Sequence, residues 1–190
     1  MKKILCILLL LLTGCSSKTS MIEIQKHVYV EKEFQDSWLE TNEFGDSYIK
    51  EELQGGYHYH FDQQFLEIFF NTGGKIELYN YSIKKNDLII SGEMIPPKTI
   101  RLVHPHLDNV TSEGVIIHEL GHYFDEKHQF SSSKQFTELY KKYRTLFNQK
   151  TKKEYFAECF KEYVGGHQEK VKPFHSYMKT ITQKIRQKNK

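Results

Sequence analysis

Ten residues in the second half of the chain, Val115-Ile116-Ile117-His118-Glu119-Leu120-Gly121-His122-Tyr123-Phe124, restrict what it can fold into more than any other stretch. On a helix, His118 and His122 lie one turn apart and project from the same face, where two imidazoles can grip a metal ion. Glu119 lies about 100° further round the helix, near enough to polarise a metal-bound water without itself being a ligand. The metal would supply the Lewis acid and Glu119 the base. In a chain with ten histidines a five-letter match can arise by accident. The flanks argue against that, because Val115, Ile116, Leu120, Tyr123 and Phe124 keep the helix apolar wherever it is not chemical, as a buried catalytic helix requires. The alternative, an amphipathic core helix with two surface histidines, leaves Glu119 and those flanks unexplained.

Lys2 and Lys3 precede an apolar run, Ile4 to Leu12, that is too short to span a bilayer as a mature helix and reads as an export signal. It ends in Leu12-Thr13-Gly14-Cys15, which resembles a bacterial lipobox. That likeness implies a lipoprotein signal over residues 1–15, lipid on Cys15, a polar tether over 16–20, and an anchor on the outer face of a bacterial cell membrane. A plain secretory signal with an incidental cysteine is the alternative. Roughly 175 residues then remain, which suits one domain over 21–190 and a monomer. Cys6 leaves with the signal and Cys15 would carry lipid, so Cys159 stands alone and no intramolecular disulfide can form. The formal charge of +3 includes Lys2 and Lys3, so without those two it is +1, and no nucleic-acid partner is expected. Charge is nevertheless uneven: Glu23 to Glu52 is acid-rich, and Lys170 to Lys190 is basic. The basic tail reads first as a solvated helix face, with contact to anionic lipid as its alternative.

No repeat, low-complexity tract or proline-rich linker divides the chain. Ile22, Ile24, Val28 and Val30 suggest a strand or short helix, and Phe34 to Leu39 a helical turn or two. Phe61, Phe65, Ile68 and Phe69 recur at helical spacing before Asn71-Thr72-Gly73-Gly74, which predicts a core helix over 61–71. The period then becomes two in Lys75–Tyr79, Asp87–Ser91 and Thr99–Val103, with turns at Lys85-Asn86 and Pro96-Pro97, which predicts a small sheet. From Thr111 on, the pattern is helical: the motif helix to about Lys127, a second helix over Ser133–Phe147, a third over Thr151–Val164 and a last from Pro173. A sheet followed by a helical region is an α+β fold.

Two histidines need a third protein ligand and an open position for water. Glu154 and Glu158 are four apart on the third helix, so one carboxylate could bind the metal while the other holds a histidine's second nitrogen. Spacing alone leaves this open, because Thr151-x-x-Glu154 also fits a capping box and Glu158 could be a surface charge.

Together, His118-Glu119-Leu120-Gly121-His122 and Glu154-Tyr155-Phe156-Ala157-Glu158-Cys159-Phe160 resemble the zinc protease domain of anthrax lethal factor and its smaller relatives, the secreted clostridial Pro-Pro endopeptidases. The likeness covers residues 60 to 190, where Pro173-Phe174 with Met178, Ile181 and Ile185 resembles the family's closing amphipathic segment. It implies a zincin-like metalloprotease domain, one catalytic Zn2+, His118, His122 and Glu154 as ligands, Glu119 as general base, and Glu158 as the carboxylate behind a histidine. Cys159 falls where the family places a small residue, which implies a packed, inert thiol. One position departs from the pattern: the family's catalytic tyrosine, seven residues before the third ligand, is Phe147 here. Tyr143, one turn earlier, is the candidate to replace that phenol, ahead of Tyr140; loss of one oxyanion donor costs about 10²–10³ in rate.

The expected activity is therefore hydrolysis of peptide bonds in a peptide or protein substrate, with Glu119 taking a proton from zinc-activated water and passing it to the leaving amine. Substrate would lie extended against a sheet edge, with Thr99–Val103 as the neighbouring strand. His58 with His60, and His104 with His106, read as surface or turn residues. The competing function is a catalytically impaired surface lipoprotein that binds peptide or protein, and a third is an adhesion or immunity lipoprotein without metal.

Overall fold

The computed structural model describes residues 20–41, 47–85, 88–104, 113–149 and 151–188. Cys15, its leader, most of the tether, Asn86 of the expected Lys85-Asn86 turn, Asp87 and His106 lie outside the described residues. The core sheet is built from short runs with alternating polarity. In β2 (Val28–Glu31), β3 (Lys75–Tyr79) and β7 (Thr99–Val103), Val28, Val30, Ile76, Leu78, Ile100 and Leu102 point to one face and are buried. Those three strands run parallel, with Ile76 opposite Ile100 and Leu78 opposite Leu102. Antiparallel β1 (Met21–Gln25) and β6 (Gly92–Ile95) flank them in the order β1-β2-β3-β7-β6. The other face is polar: Arg101 reaches Glu77 at 3.3 Å and Glu93 at 3.4 Å, and Lys75 reaches Glu77 at 2.6 Å. One-sided polarity sends every helix with an apolar stripe to the opposite face.

Two strands differ from the expected sheet. The run expected at Asp87–Ser91 forms β5 (Leu88–Ile90), which pairs with β4 (Ile83–Lys85) in a separate two-stranded ribbon. Thr99–Val103 is indeed a strand, but β7 is paired on both sides, so it has no free edge for a substrate. The edge strands are β1 and β6; the one packed beside the motif helix is β6, which begins with a glycine and is too short to declare a period.

The first crossover carries α1 (Gln35–Leu39), α2 (Tyr48–Gln54) and α3 (Gln64–Asn71); α3 buries Phe65, Leu66, Ile68 and Phe69. The motif helix is α4 (Val115–His128). It ends where Gln129 turns left-handed and buried Asp125 accepts both the amide and the hydroxyl of Ser131 at 2.6 Å. Next come α5 (Lys134–Tyr143), α6 (Lys152–Val164) and α7 (His175–Gln187). Phe65, Phe124 and Phe160 meet edge-on or tilted at 5.4–5.9 Å, tying α3, α4 and α6 into one core. α7 closes that core with Met178, Ile181 and Ile185, and turns Lys179 and Lys184 to solvent. Among the described residues no helix is long and apolar enough to cross a membrane.

The second helix ends four residues earlier than its pattern predicts. The Tyr143 carbonyl, which would accept the amide of Phe147 in a continuing helix, accepts the Tyr155 hydroxyl at 2.5 Å and the Leu146 amide at 3.0 Å. Phe147 thus lies beyond the helix end, and the shared face expected of Tyr143 and Phe147 does not form.

Candidate metal centre

Helices α4 and α6 cross at their smallest residues. A Cβ on Gly121 would come within 2.9 Å of the Ala157 Cα and 3.2 Å of its carbonyl oxygen, so only glycine admits this approach. The crossing sets His118 and His122 against Glu154. His118 Nε2 and His122 Nε2 are 3.2 Å apart, and each is 3.2 Å from Glu154 Oε2. The three ligand atoms form an equilateral triangle, and a tetrahedral ion with ordinary metal–nitrogen and metal–oxygen bonds needs edges of about 3.3–3.4 Å. This group can hold a metal ion. Two imidazoles and one carboxylate suit a divalent first-row ion, and three ligands leave a fourth position for water.

Electrostatics agree with the fit. Burial disfavours protonation of His118, yet hydrogen bonds to Glu154 and Glu158 overcome it and raise the pKa to about 9. The same histidines hold the Glu154 carboxyl far below the usual range. Two imidazoles and a carboxylate drawn onto one proton are the arrangement a cation replaces. Behind the triangle, His118 Nδ1 lies 3.2 Å from Glu158 Oε2, and Glu158 Oε1 is 2.7 Å from Lys161 Nζ. With its Nδ1 proton given to Glu158, His118 directs the Nε2 lone pair into the triangle. Glu158→Gln is expected to weaken metal binding by about 10- to 100-fold with the fold intact. Competition against a chelating dye measures this, and an unchanged affinity would remove Glu158 from the site.

Thr151 does cap α6, its hydroxyl accepting the Glu154 amide at 3.2 Å, but the Glu154 carboxylate goes to the histidines instead of closing the capping box. Thr151 therefore serves as a simple N-cap, and the Glu154 side chain is left to face the histidines. Cys159 is buried, and burial raises its pKa well above that of a free thiol, as expected of an inert packing residue.

Glu119 is 6% exposed, and burial raises its pKa against the opposing pull of His118 and His122. Its carboxylate also accepts the amide of Met94 in β6. Because Val103 donates to Ser91, the ladder between β6 and β7 alternates so that Gly92 and Met94 point their backbone groups outward. Glu119 thus sits beside the edge strand β6. Beside it opens a cleft of about 370 Å³ whose walls include Ile90, Gly92, Val115, His118, Glu119 and Lys161.

No tyrosine is among the described residues lining this cleft. Phe147 packs edge-on against Tyr155 at 5.3 Å, Tyr140 meets the same ring at 5.1 Å, and Tyr143 packs on Phe174 at 6.1 Å. Tyr143 thus packs on Phe174 and is not among the residues lining this cleft. Tyr143→Phe is accordingly expected to leave any hydrolysis within about twofold, whereas a lost oxyanion donor would cost 10²–10³. Initial rates on one peptide separate the two.

His58 and His60 lie in an exposed loop; His58 pairs with Glu113 at 2.6 Å. His104 is a core residue, wedged at 4.8 Å from both Trp38 and Tyr48, so its surface reading is corrected. Sequence reasoning missed Lys161 and Met94. Lys161 was within reach, since it falls seven residues after Glu154 and three after Glu158 on one helix face. Met94 was not, because its part depends on which strand is the edge. No model of a known protein family matches the chain and no curated protein is significantly similar to it, so the functional reading rests on this geometry.

Proposed function

We propose that the protein is a zinc endopeptidase of zincin-like fold, similar to lethal factor-type proteases, tethered by lipid on Cys15 to the outer face of a bacterial membrane. The observation that carries this reading is the 3.2 Å triangle of His118, His122 and Glu154 with a buried carboxylate, Glu119, one residue from the first ligand and beside the edge strand β6. Bound zinc supplies Lewis-acid polarisation and lowers the pKa of water toward 7. Glu119, kept basic by burial, would take a proton from the attacking water as its oxygen bonds to the scissile carbonyl carbon, and would deliver that proton to the leaving nitrogen as the C–N bond breaks. Met94 holds the Glu119 carboxylate in place through its amide. The outward backbone groups of Gly92 and the outward Met94 carbonyl offer an extended substrate a strand to pair with.

The test is incubation of the protein with a mixed peptide library, with and without a zinc chelator. Chelator-sensitive cleavage restored by zinc is expected. Stoichiometric zinc with no turnover would replace this reading with that of a peptide-binding lipoprotein of impaired catalysis, which the tyrosine-free cleft wall favours. A protein that binds no zinc would overturn both.

A further inference from the structure

Strand direction and surface composition single out one end of the molecule. The parallel strands β2, β3 and β7 all finish there, and β6, running the other way, begins there with Gly92 opposite Leu102. The same end holds the start of α4, because a Cβ on Gly92 would meet the Val115 side chain at 2.6 Å. The metal-side cleft, walled by Gly92, Glu113 and Val115, therefore opens at this end. So does the N-terminal segment. The Ser20 carbonyl accepts the Lys32 amide at 3.2 Å and Met21 lies opposite Glu31, which brings the chain into the fold beside the last residue of β2. β1 and β6 are the two edges of the sheet, four strand spacings or about 19 Å apart. Cys15 is five residues before Ser20, a reach of at most about 17 Å. Lipid on Cys15 thus holds the mouth of the cleft close to the bilayer.

Five large hydrophobic side chains are 43–49% exposed among the described residues, and four of them surround this end. Leu39 closes α1, which lies across the ends of β3 and β7: Asn80 donates to Ser37 Oγ at 2.7 Å, and His104 Nε2 meets the Ser37 carbonyl at 3.1 Å. Tyr81 comes two residues after β3, and Ile89 stands on the cleft wall. Tyr57 follows Gly56, which packs against Glu113 just before α4. The fifth, Leu146, lies near the start of α6, at the opposite end, since α6 runs antiparallel to α4: Gly114 adjoins Lys161, Gly121 adjoins Ala157, and His122 faces Glu154. Exposed apolar residues scattered singly need no partner, but leucine, isoleucine and tyrosine gathered where a lipid tether enters are side chains that settle in a headgroup layer. Charge does not supply the attraction. Exposed Glu33, Asp36 and Glu40 share this end with Lys32 and Lys84, whereas Lys184 and Lys188 of the basic tail stand by His128 at the far end of α4.

We propose that this end of the protein rests on the bilayer, with Leu39, Tyr57, Tyr81 and Ile89 in the headgroup layer, and that its substrates are membrane-anchored proteins cut in the extended segment just outside the membrane. A cleft that faces the bilayer receives chain emerging from it and turns away from chain far above it. The inference rests on the lipid-anchored endopeptidase reading and adds to it an orientation and a substrate class.

The experiment uses the full chain with its own lipid on phosphatidylcholine vesicles, and a nitrobenzoxadiazole dye attached through Leu39→Cys, Tyr81→Cys or Leu146→Cys in separate preparations. Cys159 is buried, so the dye goes to the new thiol. Dye emission is expected to rise and shift to the blue at 39 and 81 and to stay as in solution at 146, equally with and without phosphatidylglycerol. Two lipid-anchored substrates then carry one cleavable sequence, either directly after the anchor or about 60 Å out on a helical spacer of about 40 residues. The near sequence is expected to be cut at least about tenfold faster. Leu39→Glu together with Tyr81→Glu is expected to bring that ratio below about threefold while hydrolysis of the same peptide free in solution is unchanged. Silent dyes at 39 and 81 on protein that floats with the vesicles would overturn the docking, and so would a response at 146 alone. Near and far sequences cut at equal rates would overturn the substrate class. These three results leave the earlier reading standing, whereas a wild type that does not float with vesicles, or that cuts no soluble peptide, would remove the anchor or the protease on which the proposal rests.

Discussion

Glu119→Gln is expected to lower peptide hydrolysis by about 10²–10⁴-fold while zinc stays bound at one ion per chain. Glutamine preserves the volume of a side chain that is 6% exposed, and its carbonyl can still accept the Met94 amide, so the fold and the sheet edge are kept. What it loses is the ability to take a proton. None of the three metal-facing atoms belongs to residue 119, so the ligand set survives and the variant still binds one ion per chain, as chelator competition measures. Rates and zinc content are measured on the same preparation. Full turnover by the variant would transfer the base's role to another group, and simultaneous loss of zinc would show that Glu119 holds the metal site together instead.

Gly121→Ala is expected to be nearly as damaging, and by a different route. The new Cβ would lie 2.9 Å from the Ala157 Cα, a backbone atom that no rotamer change can move aside, so α6 must shift as a unit. Glu154 rides on α6, one turn before Ala157, while both histidines stay on α4. A metal site tolerates about 0.2 Å of error in its bonds, so we expect zinc affinity to fall by about 10- to 100-fold. Two energies compete in stability. Alanine is the better helix former by about 1 kcal/mol, and overpacking costs about 1–3 kcal/mol, so the metal-free protein should melt lower. Ala157→Gly in the same chain should restore little, because the Cα and carbonyl oxygen of residue 157 remain in the way. A Gly121→Ala protein that melts higher and binds zinc as before would show that the helices have room to part.

These two substitutions fall on residues of unequal legibility. Glu119 was readable from its place between His118 and His122, since helical geometry alone puts it beside whatever the two imidazoles hold. Gly121 stands in the same motif, but its need to be glycine appears only where α4 meets the backbone of Ala157, 36 residues on. Among the strands, the alternation of Lys75–Tyr79 and Thr99–Val103 announced β3 and β7. Gly92–Ile95 is four residues long with a glycine at its start, and only its register against Thr99–Leu102 makes it a strand. The hydrophobic period of the second helix continues to Phe147, past the helix end at Tyr143. That end is decided by a tertiary contact, the Tyr155 hydroxyl on the Tyr143 carbonyl, which local pattern does not contain.

By itself, then, the sequence determined the α+β class, the helix that presents His118, Glu119 and His122, and the face of the later helix that carries Glu154 and Glu158, because all of these follow from periods of two and 3.6 residues. Tertiary structure alone decided three matters: that Glu154 rather than Glu158 meets both Nε2 atoms, that β6 rather than β7 is the free edge beside Glu119, and that Tyr143 packs away from the cleft. Each depends on how one element is set against another, through a crossing at Gly121, a strand register and a buried ring. Spacing along a chain fixes the face a side chain shares, and packing decides what that face meets.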